Sequence, residues 1–135
     1  MRYLLAAPFV IAAAFGGAAV HAQRAQDPET LAKIAEGEVG ELDTNSIRKF
    51  GDIQGRFDVH IKRQDGAPSP EGITPRTVRF MANCKDGTMV VAAVGLFDPS
   101  GQLAKTMVAP PRSIDEVKPE KGTQEAKWLR TVCMF

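Results

Sequence analysis

Two cysteines, Cys84 and Cys133, constrain this chain more than any other pair of residues. They stand 49 positions apart, and the second falls in the closing WLRTVCMF, a stretch too short to hold regular structure by itself. What the two thiols do depends on the compartment. The opening MRYLLAAPFVIAAAFGGAAVHAQ has a cation at Arg2, an apolar run from Leu4 to Val20, and the small-x-small ending Val20-His21-Ala22. That order is the pattern of a secretory signal cut after Ala22. A retained membrane anchor is the competing reading, and the Ala/Gly-rich run with its short charged lead argues against it. In an exported chain an even cysteine count predicts a disulfide, and two cysteines allow one pairing, Cys84 with Cys133. Closing a loop of that length is worth at most about 4 kcal/mol in chain entropy. A small domain has a net stability of about 5–15 kcal/mol, so the bond is a large share of it. No Cys-x-x-Cys is present, which argues against a redox catalyst.

Cleavage leaves residues 23–135 and removes Arg2, taking the formal charge from +1 to zero. The basic residues are scattered along the sequence with few aromatics between them. Neither a nucleic-acid groove nor an anionic-lipid patch is expected from that pattern. No cysteine follows the signal to carry a lipid anchor, and no later segment is apolar enough to span a bilayer. The expected location is the periplasm or the outside of the cell. The terminal Phe135 is a feature of outer-membrane barrels, but the chain has too few lipid-facing strands to form one.

Residues 23–40 read as an N-terminal arm or a short helix. In DPETLAKIAEG, Asp27 is the N-cap, Pro28 the first helical residue, Leu31, Ile34 and Ala35 the apolar side, and Gly37 the stop. Residues 41–135 read as one domain. ELDTNSI predicts a short opening strand. In IQGRFDVHIKR the residues Ile53, Gly55, Phe57, Val59 and Ile61 alternate with polar ones, which predicts a half-buried antiparallel strand. QDGAPSPEGITP reads as a surface loop. A strand from Arg76 to Lys85 puts Val78, Phe80, Ala82 and Cys84 on one face. Asp86-Gly87 turns the chain into TMVVAAVGLF, apolar on both faces and so placed centrally, and DPSG turns it again into QLAKTMVAP. After a further loop, TQEAKWLRTVCMF sets Trp128, Leu129, Val132 and Cys133 at helical spacing. The expected class is α+β: a meander of about four to six antiparallel strands packed against a C-terminal helix, with one disulfide pinning that helix to the sheet.

Candidate chemistry is sparse, and no catalytic, cofactor-binding or metal-binding residue is assigned. His60, the one histidine left after cleavage, sits between Asp58 and Lys62 on the polar side of a strand. A general base needs a nucleophile and an orienting acid beside it, so solvation is the expected state of His60, Arg56 and Lys62. One histidine and a paired set of cysteines make no zinc site. Carboxylates occur singly, apart from Asp115-Glu116, with no calcium or glycosidase spacing. Met81, Met89, Met107 and Met134 read as packing residues on separate elements. Gly55 and Gly95 lie within strands, where glycine marks a bulge or a close backbone approach.

ELDTNSI, the strand VRFMANCK, GLFDPSGQ and the closing VKPEKGTQEAKWLRTVC together resemble the surface-adhesin protein E family of small exported bacterial proteins. The likeness runs from about Glu41 to Cys133. It rests on an Asp-x-x-Ser-Ile opening, a strand ending in Cys, an aromatic-Asp-x-x-Gly turn and a Pro-x-x-Gly-Thr run before a terminal helix with the second Cys. The resemblance implies an antiparallel sheet tied by one disulfide to a C-terminal helix, and binding to host or extracellular macromolecules, proteins foremost. The chain departs from the named adhesin in lacking a lipidation cysteine after the signal. The expected function is therefore an exported, non-enzymatic binding protein. A periplasmic inhibitor working through the loop from Ala67 to Pro75 or through APPRSIDEV, or a small-ligand carrier, is the alternative. Against a carrier, the modest core is expected to leave little of the roughly 300 Å³ a ligand needs.

Overall fold

The computed structural model describes residues 27–110 and 116–135, so the signal-like residues 1–22 and the middle of APPRSIDEV lie outside the described residues. Five antiparallel strands, β1 (Glu38–Phe50), β2 (Gln54–Arg63), β3 (Arg76–Asn83), β4 (Thr88–Phe97) and β5 (Leu103–Val108), pair in sequence order as a meander. A single helical turn, α1 (Pro28–Leu31), precedes them, and α2 (Gln124–Cys133) follows. The α+β architecture with one disulfide is the one the sequence predicts.

The alternation in β2 is realised as expected. Gly55, Phe57, Val59 and Ile61 are buried on the inner face, joined across the pleat by Val78, Phe80 and Ala82 of β3. Phe57 stacks on Phe80 with ring centroids 5.3 Å apart, and Phe80 meets Trp128 of α2 at 6.2 Å. The helix buries Trp128, Leu129 and Val132 here, each worth about 2 kcal/mol of apolar burial. Two glycines let covering elements sit this low. A methyl at Gly40 would stand 2.7 Å from Ile34 and 2.8 Å from Trp128, and one at Gly55 would stand 3.0 Å from Val132. Gly55 is thus a close-approach position, as its place inside a strand suggests.

Several boundaries differ from the sequence reading, each for a local reason. Ile53 lies in the β1–β2 turn, 46% exposed, rather than in the strand. β1 runs well beyond ELDTNSI at both ends, because backbone pairing with β2 does not require apolar residues. Its register jumps between Asp43 and Arg48, and the Asp-x-x-Ser stretch makes the jump: the Ser46 hydroxyl donates to the Asp43 carbonyl at 2.6 Å and accepts from the Asp58 amide at 2.7 Å. β4 is an interior strand between β3 and β5, with Met89 and Val94 buried on its inner face and its outer face half-buried.

The N-terminal helix is a single turn. Asp27 caps it by accepting from the Glu29 amide at 3.1 Å, but it stops at Leu31 instead of running to Gly37. The carbonyls of Leu31 and Lys33 accept from the Arg76 guanidinium at 2.6 and 2.9 Å, and the Ala35 amide donates to the Glu38 carboxylate. Those side-chain bonds bind the segment as an arm across the sheet. Gly37, with φ of 80°, begins the turn into β1.

Cys84 is joined to Cys133 with Cα atoms 5.5 Å apart. Cys84 sits one residue beyond β3 and is half-buried, its amide donating to the Ile53 carbonyl, so the bond fastens the last turn of α2 to the β1–β2 and β3–β4 turns. Replacing Cys84 or Cys133 with Ser is expected to cost about 2–4 kcal/mol in urea unfolding and to expose the last residues to protease first. Labelling of both thiols by alkylation of the denatured, unreduced chain contradicts the pairing.

Candidate functional site

Both helices pack on the inner face, leaving the outer face of the sheet without a covering element among the described residues. Cross-strand register decides what meets there. Asp43 of β1 stands directly opposite Asp58 of β2, a like-charge pair that costs stability unless each carboxylate has a cation or donor beside it. Asp58 also pairs with Arg79 of β3, and the guanidinium donates to both carboxylate oxygens, Nε at 2.8 Å and Nη2 at 3.0 Å. This fork-on-fork bond, opposed by partial desolvation, holds the Arg79 pKa above its ordinary value. Asp43 is met by His60, whose Nε2 lies 3.2 Å from Oδ2. That hydrogen bond, with help from the Asn45 amide, outweighs desolvation and keeps the Asp43 carboxyl below its ordinary pKa.

His60 is therefore not merely solvated. Its Nε2 faces the Asp43 carboxylate and its Nδ1 lies 2.8 Å from the Thr77 hydroxyl oxygen, each within hydrogen-bond reach. Hydroxyl, imidazole and carboxylate stand in the order of an acyl-transfer relay. They do so on the outer strand face, where the neighbouring backbone amides belong to the sheet ladder and, among the described residues, no helix or arm covers Thr77. The chain of bonds ties three strands together in register. Arg56 is likewise engaged, its guanidinium 5.9 Å from the centroid of the Phe50 ring, while Lys62 is exposed. Toward the opposite edge the outer face turns apolar: Val90, Ala93 and Phe97 are half-buried, and on β5 Leu103 is 58% and Val108 73% exposed.

The inner face carries a group that the sequence reading missed. Arg76 is 2% exposed. Besides the carbonyls of Leu31 and Lys33, its guanidinium donates to the Ile73 carbonyl, the Thr74 hydroxyl and both oxygens of Glu38, at 2.6 and 2.8 Å. The Thr74 hydroxyl donates to the same carboxylate. Burial by itself raises the Glu38 pKa, but bonds from Arg76, Thr74 and the Ala35 amide outweigh it and bring the group down to about 2. One signal for this site stands in the sequence. Arg76 has the parity of Val78, Phe80 and Ala82, so alternation aims a cation into the core, where it must be paired.

Two open clefts flank this arm on the inner side. One, about 830 Å³, has Arg76, Glu38 and Thr74 in its wall and the loop from Ser69 to Ile73 along its rim. The other, about 580 Å³, is walled by Ile34, Phe80, Met89, Val91, Val117 and Pro119. Both exceed the room expected of so small a core, because the arm and α2 cover the sheet side by side rather than closing over it. The loop from Ala67 to Pro75 does not project freely. Ser69 accepts from the Ile73 and Thr74 amides at 3.0 Å, and Thr74 is buried. Of APPRSIDEV, the end is described: Val117 exchanges two backbone hydrogen bonds of 2.9 Å with Met89. Asp115 lies outside the described residues, and Met81, Met89, Met107 and Met134 stand on separate parts of the fold. Among the described residues no group of three metal-ligating side chains converges, and no helix is long and apolar enough to cross a membrane.

No family model, curated protein or solved structure matches the chain.

Glu38 has the lowered pKa of a carboxylate that stabilises the fold above its unfolded value of 4.5, with the contribution lost as pH falls toward about 2. Glu38→Gln is expected to cost about 3 kcal/mol at pH 7 in urea unfolding. The gap to the wild type should close as the pH is lowered from 4.5 to 2. A gap that stays constant over that interval contradicts the assignment.

Proposed function

We propose that this chain is an exported, non-enzymatic binding module that docks a protein partner on the outer face of its sheet. The observation that carries the reading is that face itself. It combines fixed charged groups, Asp58–Arg79 and Asp43–His60, with an apolar strip ending in Leu103 and Val108, on a frame that is hydrogen-bonded and cross-linked. Groups already locked in place lose little freedom on association, which favours affinity and specificity. Export is supported by the signal-like N-terminus, and the half-buried disulfide is compatible with it. The resemblance to surface-adhesin protein E points to host or extracellular macromolecules as the class of partner. An enzymatic reading requires donors and a cleft converging on a nucleophile, and among the described residues the Thr77–His60–Asp43 relay lies on an uncovered strand face.

A small-ligand carrier is the second reading, favoured by the apolar cleft of about 580 Å³ beside Phe80 and Met89. The test is affinity capture from envelope and extracellular extracts with the oxidised chain beginning at Gln23, run beside a Leu103→Asp/Val108→Asp variant. Both substituted positions are exposed, so the variant should fold normally. The proposal expects a defined protein retained by the parent and lost, by about tenfold or more, from the variant. Equal retention by both moves the interface elsewhere. Failure to retain any macromolecule, together with a small molecule that raises Tm, replaces the binding module with the carrier.

A further inference from the structure

Four of the large apolar side chains that face solvent gather at one end of the molecule. Phe50, the last residue of β1, is 50% exposed and Ile53 in the β1–β2 turn 46%, and Met134 is 79% and Phe135 66% exposed just beyond α2. The disulfide makes them neighbours. The Ile53 carbonyl accepts from the Cys84 amide at 2.6 Å, Cys84 is bonded to Cys133, and Met134 follows directly. Scattered exposed apolar residues are ordinary, but several gathered at one end beside a cluster of cations are not.

The rim here is predominantly cationic. Arg56 stacks on Phe50, Arg48 faces Arg56 across the strand pair, the Lys49 ammonium lies 3.6 Å from the Cys84 sulfur, and Lys85 follows Cys84 in the turn. Arg130 adds a further cation in the last turn of the helix. The carboxylates of the same turns are Asp52 and Asp86, and Asp86 is already engaged by the Asn83 amide at 3.0 Å. In the sequence these cations are spread over more than eighty positions and suggest no lipid patch. Strand register and the disulfide bring them to one end of a domain whose overall charge is close to neutral.

We infer that this disulfide end is a docking surface for an anionic phospholipid bilayer. Phe50, Ile53 and Met134 would enter the headgroup boundary, and Arg48, Arg56, Lys85 and Arg130 would lie against the lipid phosphates. Apolar insertion and charge attraction act together in such peripheral binding, and charge alone falls off within a Debye length. Phe50, Arg48 and Arg56 rise on the outer side of the sheet by register, but on β1 and β2, across the sheet from Leu103 and Val108 on β5, so a bilayer at this end and a partner on the apolar strip use different residues.

The experiment is co-sedimentation of the oxidised chain beginning at Gln23 with vesicles of pure phosphatidylcholine or of phosphatidylcholine with one-third phosphatidylglycerol, at low and high salt. Binding to the anionic vesicles, weakened by salt, is expected. Arg56→Gln/Lys85→Gln should lower the partition coefficient about 25-fold, at roughly fivefold per cation. Phe50→Ser/Ile53→Ser should lower it about tenfold or more without any change in charge. Both pairs lie in exposed turns or on the strand surface, and circular dichroism with Tm verifies that each variant is folded. The outer-face variant Leu103→Asp/Val108→Asp, if folded, should retain at least half of the parent's binding. Equal partition into neutral and anionic vesicles, no partition at all, or a loss in the outer-face variant as large as in Phe50→Ser/Ile53→Ser overturns the inference. So does preferential capture of an acidic protein by this end in the presence of vesicles.

Discussion

A buried arginine holds together parts of this chain that would otherwise have no reason to meet. Arg76 begins β3, yet its guanidinium takes up carbonyls of the N-terminal arm, the carboxylate that opens β1, and the carbonyl and hydroxyl of the Pro-rich loop. A desolvated charge is tolerable because every one of its directions is answered, and Glu38 stays ionised against the cost of burial for the same reason. The geometry of the arm is a consequence. Its helix ends after one turn because the carbonyls that would continue it are taken by Arg76, and the Pro-rich loop is held down where its composition alone suggests a free surface segment.

Arg76 acts at one end of the sheet and the disulfide at the other, with α2 laid between them over Phe57, Phe80 and Ala82. Gln124, at the start of that helix, donates to the Gly40 carbonyl at 2.7 Å, and Cys133, at its close, is covalently fixed. One polar tie and one covalent tie thus spare a small core from having to order both ends by apolar contact alone. All of this covering lies on the inner face. The outer face is left with its own cross-strand bonds, Asp58 to Arg79 and Asp43 through His60 to Thr77, which keep polar groups rigid in the open.

The sequence carried the parts of this design that follow from period and pairing. Phe57, Val59 and Ile61 alternate without interruption, Trp128, Leu129 and Val132 recur at helical spacing, and two cysteines leave one pairing, so β2, α2 and the bond were legible. β1 was legible only in part, because a strand whose side chains are largely polar is fixed by its neighbour's backbone and by the Ser46 bridge rather than by its own pattern. The outer-face bonds and the cationic end were beyond reach, since the first depend on the register of β2 against β1 and β3 and the second on the pairing of Arg48 with Arg56 past the register jump. Arg76 is the instructive case. Its inward parity was visible, but the partner that makes the position tolerable lies 38 residues away, in a segment that reads as an arm.

Hydrogen exchange on Arg76→Met tests the organising role of that residue most directly. If Arg76 ties the arm and the Pro-rich loop to the sheet, amides of residues 31–38 and 64–74 should lose protection, while those joining β2 to β3 and those of α2 stay near their wild-type rates. A uniform loss across the whole sheet, or unchanged protection in the arm and loop, would contradict that role.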